Sequence, residues 1–187
     1  MTRHLLLLPA ALLCLAAAPA PKAAPAKAPV AKPAAAKPVA KAAAAAPYDA
    51  QNPQGMMDIL GAAGAKVQTS RREADSVFVT VTSTAANFSL QFAGCNAQGR
   101  ACQAALYDSL LEGGSPTLAQ INGFNQTSVF CRIYQDKTGK PHAIYAAVLV
   151  ESDTRQSALT HLGAWQGCLG EARGFVRDPV AYLAEAA

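Results

Sequence analysis

The chain has 187 residues with a formal net charge of +4, a length that excludes a large multidomain enzyme and fits one domain with an appendage. These averages combine unlike segments, because residues 16–46 contain only Ala, Pro, Lys and Val, whereas every glycine and aromatic residue lies beyond residue 47. Residues 48–187 carry 10 basic and 12 acidic residues, so this part lacks the basic surplus that a nucleic-acid partner requires.

Residues 1–20 have the pattern of a secretory signal peptide. Arg3 precedes an apolar run over residues 5–15, and small residues follow it. A basic start, an apolar stretch of about ten residues and an A-x-A ending are typical of export signals, and cleavage after Ala18 or Ala20 fits. A membrane anchor would need about 20 apolar residues. We therefore expect a periplasmic or secreted protein.

Residues 21–47 form an imperfect five-residue repeat with a proline in nearly every unit. Frequent proline removes helical hydrogen bonds, so the repeat predicts a disordered tether of polyproline II and coil. We interpret it as a spacer. The alternative is that its evenly spaced positive charges contact an anionic envelope polymer or lipid surface. These charges belong to Lys22, Lys27, Lys32, Lys37 and Lys41.

Residues 48–187 carry the predicted folded domain. In chain order we expect a helix over 56–64, strands over 77–82, 87–92 and 101–111, a short helix over 117–125, strands over 129–136 and 142–151, and a final helix from Asp153 to about Val176. Apolar residues recur at helical spacing before Gly64 and then alternate with a period of two. Asp153 is expected to cap the last helix. This order predicts an α+β fold in which helices pack on one face of an antiparallel sheet.

Four cysteines remain after signal removal, and an even number in an exported domain indicates disulfides. Cys95 ends one predicted strand and Cys102 begins the next, so we expect a bond between them across the turn. Cys131 and Cys168 form the less favoured pair. Packing of the last helix on the sheet would bring them together, but buried free cysteine is common.

The chain has none of the common catalytic patterns, such as a nucleophile elbow, a zinc-protease helix, a phosphate loop or a dinucleotide fingerprint. His142 and His161 are isolated in the sequence, and we expect both to be solvated. Neither lies at zinc-finger spacing from the cysteines. We therefore expect no enzymatic activity, no cofactor and no metal site.

The final predicted helix has an unusual stripe of four glycines opposite its apolar face. Each glycine costs about 1 kcal/mol relative to alanine in a helix interior, so four on the solvent side need a reason. One hypothesis is that small residues let a helix or peptide partner approach closely. The alternative is a helix that bends or breaks near Gly167 or Gly170. The stripe consists of Gly163, Gly167, Gly170 and Gly174.

Residues 55–177 resemble the YbjN family of bacterial proteins, which have been described as sensory-transduction regulators. The most specific match is the I-N-x-F-N pattern at Ile121-Asn122-Gly123-Phe124-Asn125. Other matching features are the opening helix with Ile59-Leu60 and Gly64, the strand over 88–94 that runs into Cys95, the strand over 130–134 and the closing helix with Trp165. The resemblance implies a fold similar to that of type III secretion chaperones.

Asn122 and Asn125 would face the same side if their segment is helical. We expect their amides to satisfy backbone groups where this helix leads into a strand. The functional alternative is a polar contact with a partner, anchored by Phe124. Together these observations predict an exported, non-enzymatic binding protein that makes a regulatory or chaperone-like contact with another polypeptide, as a monomer or weak homodimer. The alternative is a structural envelope protein held near an anionic surface by its lysine tether.

Overall fold

The computed structural model describes residues 47–186. The predicted signal peptide and, apart from Pro47, the predicted tether lie outside these residues. The elements are α1 (Pro53–Ala62), β1 (Lys66–Arg72), β2 (Ser76–Thr82), β3 (Asn87–Ala93), β4 (Ala104–Leu110), α2 (Leu118–Thr127), β5 (Arg132–Gln135), β6 (Pro141–Val148), α3 (Arg155–Arg177) and α4 (Pro179–Glu185).

The strands form one antiparallel sheet in the order β1-β2-β3-β4-β6-β5. Every second side chain of its central strands is buried, and these residues define the inner face, on which α1 and α3 pack. Trp165 of α3 contacts the rings of Phe88 and Tyr107, each at a centroid distance of 5.6 Å. The predicted α+β fold is therefore confirmed.

The first helix ends because Gly64 adopts a positive φ of +86°, a conformation that glycine reaches without strain. The amide N–H groups of Gly64 and Ala65 donate to carbonyls of the last helical turn. This arrangement satisfies acceptors that a helix end leaves unpaired. Gly64 thus has the helix-ending role that the sequence predicts.

The hairpin between β5 and β6 forms around the predicted turn. One carboxylate oxygen of Asp136 accepts hydrogen bonds from the backbone N–H of Thr138 and of Lys140 and from the Thr138 hydroxyl. Gly139 lies in the turn with a φ of +80°. An aspartate that bonds to the backbone two residues later is a common way of starting a turn.

The last long helix is capped by Thr154, not by Asp153 as predicted. Thr154 and Ser157 exchange side-chain and backbone hydrogen bonds in a capping box. The Asp153 carboxylate instead accepts from the N–H of Val150 in the preceding turn. The helix then continues without a break through all four glycines. Within residues 47–186, no helix combines the length and the apolarity needed to cross a membrane.

Candidate functional site

The outer face of the sheet is the side opposite α1 and α3. It consists of the alternate strand residues whose side chains are not part of the core. Ile144 lies directly across from Asp108 on β4 and from Arg132 on β5. Leu106 lies across from Ala146. Leu110 and Val148 are exposed large apolar residues of this face, and Val148 is 74% exposed. The face therefore has an apolar strip along β4 and β6, which consists of Leu106, Leu110, Ile144, Ala146 and Val148.

A polar cluster lies at one end of this strip, and we call its four residues the outer polar cluster. Nδ1 of His142 is 3.0 Å from one oxygen of Asp108. The hydroxyl of Tyr134 donates to the other oxygen of Asp108 at 2.7 Å. The Tyr134 ring stacks on the His142 ring at a centroid distance of 5.1 Å. Asp136 completes the cluster, with a carboxylate oxygen 3.7 Å from Nε2 of His142.

Three strands supply this cluster through their register. Tyr134 on β5 is paired with His142 on β6, and His142 is paired with Leu110 on β4. Asp108 lies two residues before Leu110 on the same face of β4, within reach of both rings. The cluster therefore depends on the strand order β4-β6-β5.

The protonation states of the cluster follow from its geometry. Burial, together with the hydrogen bond to Asp108 and the charge of that residue, raises the pKa of the Tyr134 hydroxyl. The phenol therefore stays protonated and acts as a donor. The hydrogen bonds from the Thr138 hydroxyl and the backbone of Lys140 lower the pKa of Asp136 to about 2. The cluster thus keeps an ionised carboxylate at Asp136 across the physiological pH range.

We predict that Asp136 contributes to hairpin stability in full above about pH 4, where an unfolded aspartate is ionised. Because its pKa is lowered in the folded protein, this contribution is lost as the pH falls from about 4 to about 2. A carboxyl carbon NMR titration should give a midpoint near 2 for Asp136. Thr138→Val should raise that midpoint, whereas Lys137→Gln should leave it almost unchanged, because Lys137 donates no hydrogen bond to Asp136. A midpoint near 4 in the unmodified protein would contradict the prediction.

Neither histidine has the simple solvated environment that the sequence predicts. His142 has a side-chain exposure of only 18% and belongs to the outer polar cluster. His161 is half-buried, and its Nδ1 is 2.7 Å from the hydroxyl of Tyr145. The sequence gives no sign of these partners because they lie on other elements. Among residues 47–186, no group of three or more His, Cys, Asp or Glu side chains has an arrangement suited to a metal ion.

The amide of Asn125 has a structural role at the edge of the sheet. Its oxygen accepts from the N–H of Ile133 at 2.9 Å, and its nitrogen donates to the carbonyl of Ile133 at 3.0 Å. A side-chain amide thereby takes the place of a neighbouring strand beside β5. This is the backbone-satisfying role expected where the helix leads into the strand. Asn122 is exposed on the same helix.

Phe124 does not have the anchoring role that the sequence hypothesis gave it. Its side chain is fully buried and packs against the rings of Phe175 and Tyr182, at centroid distances of 4.9 and 5.6 Å. The residue therefore belongs to the core and cannot reach a partner without unfolding of this region. An apolar residue three positions after a buried Ile121 is the pattern of a helix core face, and that pattern could have indicated this outcome.

The four helix glycines all lie on the exposed side of α3. Apart from the adjacent residues and the backbone of α3 itself, a Cβ atom added at any of Gly163, Gly167, Gly170 or Gly174 would meet no described atom within 4 Å. We therefore predict that Gly167→Ala raises the free energy of unfolding by up to about 1 kcal/mol, because alanine is the better helix former. Urea unfolding measures this change. Gly167→Leu should unfold similarly and keep the same mass in solution, and a changed mass would show that the stripe contacts another molecule.

Both cysteine pairs lie at disulfide-bonding distance, Cys95 with Cys102 and Cys131 with Cys168. The second pair joins the start of β5 to the middle of α3, and both of its side chains are fully buried. The sequence favoured this pair less because buried free cysteine is common.

The chain was also compared with known proteins. No protein-family model, curated protein or solved structure matches it.

Proposed function

We propose that this is an exported, non-enzymatic binding protein whose outer sheet face contacts another polypeptide. The observation that supports this proposal most directly is the apolar strip along β4 and β6, which neither α1 nor α3 covers. Removing exposed apolar side chains from water on association is favourable. The YbjN resemblance supports the same regulatory or chaperone-like role.

The charges beside the strip favour a cationic partner segment. Asp108 and Asp136 are carboxylates at the β4–β6–β5 end of the face. Arg71 at the opposite end is paired with Glu73 at 3.1 Å, and Arg132 is occupied by the backbone carbonyls of Ser128, Val129 and Cys131. The charge is therefore negative locally, at the outer polar cluster, whereas Arg132 keeps its positive charge and Lys66 lies at the far edge of the face, across from Thr82. A partner segment with apolar side chains followed by Lys or Arg would match both features, and the charges would add specificity.

Fluorescence anisotropy with three labelled peptides of the same apolar pattern tests the proposal. The exported protein should bind a lysine-containing peptide more tightly than its neutral or glutamate-containing counterpart, and this preference should weaken with salt. Ala146→Lys places a positive charge in the strip, where it both interrupts the apolar surface and repels the lysine of the peptide, and it should reduce affinity at least about tenfold, which corresponds to about 1.4 kcal/mol. Ala119→Lys, on the exposed side of α2, is the matched control. Equal binding of the three peptides, or equal effects of the two variants, would contradict the proposal.

Photo-crosslinking in the native envelope then identifies the partner. A photoreactive residue at Ser89, exposed on the outer face, should form an adduct that the same residue at Thr160 on α3 does not form. Recovery of the same adduct from both positions would argue against the outer face.

Export is supported by the signal pattern at residues 1–20 and by the two cysteine pairs, since disulfides persist in oxidising compartments. The five regularly spaced lysines of residues 21–47 favour a second candidate function, that of a structural envelope protein held at an anionic surface. Deletion of residues 21–47 separates the two functions. Loss of envelope association with peptide binding retained would favour the tether, whereas retained association would favour the outer face.

A further inference from the structure

A cavity of about 210 Å³ lies between the start of α1, strand β1 and the turn that joins β3 to β4. We call it the α1–β1 cavity. It lies beside α1 on the inner side of the sheet, so it is separate from the outer face and independent of the function proposed above. None of the residues that line it is acidic, and its polar lining residues are Asn52, Gln54, Thr69, Arg72, Gln98 and Arg100.

The guanidinium of Arg72 lies against the β3–β4 turn at the wall of this cavity. Its Nη1 donates to the carbonyl of Gln98 at 3.2 Å. A Cβ atom added at Gly99 would lie 2.6 Å from the same Nη1, so glycine at this position leaves the space that the guanidinium occupies. Among the described residues, Arg72 has this one hydrogen-bond acceptor and no carboxylate at ion-pairing distance. Most of its N–H donors are therefore available to a ligand.

Arg100 brings a second positive charge to the cavity. The residue is exposed, and within residues 47–186 its side chain forms no hydrogen bond or ion pair. The turn that carries it is fixed by other groups, because the side-chain oxygen of Asn96 accepts from the backbone N–H of Gln98 and of Arg100, each at 3.0 Å. Cys95 and Cys102, at disulfide-bonding distance, flank the same turn. The Arg100 side chain is therefore not needed to hold the turn, and its charge is uncompensated.

Two arginines at a cavity without an acidic lining residue favour an anionic ligand, because the guanidinium fork matches the oxygens of phosphate and carboxylate groups. We infer that the α1–β1 cavity binds a phosphate monoester, with Arg72 and Arg100 donating to the phosphate oxygens. Such an ester carries a charge of about −1.5 to −2 at neutral pH, which the two arginines neutralise. The side-chain NH₂ groups of Asn52 and Gln98 have no acceptor among the described residues and can donate to a remaining oxygen. A carboxylate has a single charge and fewer oxygens, so it would leave part of this donor set without an acceptor.

The size of the cavity suits a small ester, since a cavity of about 150 Å³ already holds a benzene molecule. Glycerol 3-phosphate is therefore the probe, and acetate is compared with it at equal ionic strength on the ¹⁵N-labelled exported protein. Glycerol 3-phosphate should shift the Gly99 amide and Arg72 Nε–H signals in a saturable way. It should bind at least about tenfold more tightly than acetate, the value of one additional charge-assisted hydrogen bond. The absence of a saturable shift, or equal affinity for the two anions, would overturn the proposal.

The pH dependence provides a second readout. The ester gains its second negative charge with a pKa of about 6, and the lining of the cavity contains no His, Asp or Glu residue. Its affinity should therefore rise from about pH 5 to about pH 7, whereas that of acetate should change little. An affinity for glycerol 3-phosphate that does not rise over this range would contradict recognition of the doubly charged ester.

Neighbouring arginines of β1 provide a matched pair of variants. Arg72→Gln should reduce the affinity for glycerol 3-phosphate at least about tenfold. Arg71→Gln changes the net charge equally, but Arg71 lies over the Phe78 ring at 3.9 Å and does not line the cavity, so it should change the affinity less than about twofold. Arg100→Gln provides a second variant from a different element. Equal losses in the Arg71 and Arg72 variants, or unchanged binding in a folded Arg72→Gln or Arg100→Gln variant, would overturn the proposal.

Vesicles that contain phosphatidic acid distinguish a lipid head group from a free ester, because both carry the same phosphate chemistry. The lysines of residues 21–47 attract anionic vesicles by themselves, so binding is measured as the difference between the unmodified protein and Arg72→Gln. Weaker vesicle binding by Arg72→Gln would assign the site to a lipid head group. Equal vesicle binding, together with saturable binding of glycerol 3-phosphate, would assign it to a free ester. Equal vesicle binding without glycerol 3-phosphate binding would overturn the proposal.

Discussion

Replacing Cys131 and Cys168 together with alanine is expected to lower the free energy of unfolding by about 4 kcal/mol. The bond would close a loop with a sequence separation of 37 residues, whereas Cys95 and Cys102 are 7 apart. The chain-entropy relation gives about 4 kcal/mol for the longer loop and about 2.4 kcal/mol for the shorter one. The second bond, although harder to predict from the sequence, should therefore be the larger contribution.

Urea unfolding of the two double-alanine variants under oxidising conditions measures this difference. All four cysteine side chains are almost completely buried, so alanine removes a similar volume at each pair and the comparison is matched. Non-reducing peptide mass mapping checks the pairing itself. Equal losses of stability in the two variants, or free thiols at residues 131 and 168, would contradict the prediction.

Trp165→Ala is expected to cost about 3–5 kcal/mol, the range found when a large buried aromatic residue is truncated. The indole is fully buried at the centre of the inner face, in contact with the rings of Phe88 and Tyr107. Its removal would also leave a cavity at the centre of the inner face. Thermal or urea unfolding gives the value.

Trp165→Phe should cost much less than Trp165→Ala, below about 2 kcal/mol. Phenylalanine keeps most of the ring contacts. The free-energy cost of the lost volume is partly offset, because the burial of an unpartnered N–H is removed as well. If Trp165→Phe were as destabilising as Trp165→Ala, the N–H would have an acceptor in the folded protein.

The core of the sheet could be predicted because apolar residues occupy every second position along its central strands. The valines of β2 and the Leu90 and Phe92 positions of β3 all face inwards, as the period of two indicates. Strand β1 was missed because its residues are mostly exposed and a bulge between Thr69 and Arg71 interrupts the alternation. Helix α4 was missed too, although Asp178 followed by Pro179 is a typical helix start.

The candidate site was much less predictable than the core. Asp108, Tyr134 and His142 lie on three strands, and only the register between those strands brings their side chains together. The sequence places β5 next to β6 through their short turn, but it does not reveal that β4 flanks β6 on the other side. The buried position of Phe124 likewise depends on Phe175 and Tyr182, which lie more than fifty residues further along the chain.

The bonds from Asn125 to Ile133 have a consequence for self-association. Since the Asn125 side chain of α2 occupies the backbone groups of Ile133 at the free edge of β5, backbone pairing with another chain is blocked at that end of the sheet. The other end, β1, is charged and bulged but has no covering element among the described residues. Two copies that joined β1 to β1 would use up the one available edge of each sheet. Assembly would stop at a closed dimer, because a fibre needs two free sheet edges on every subunit.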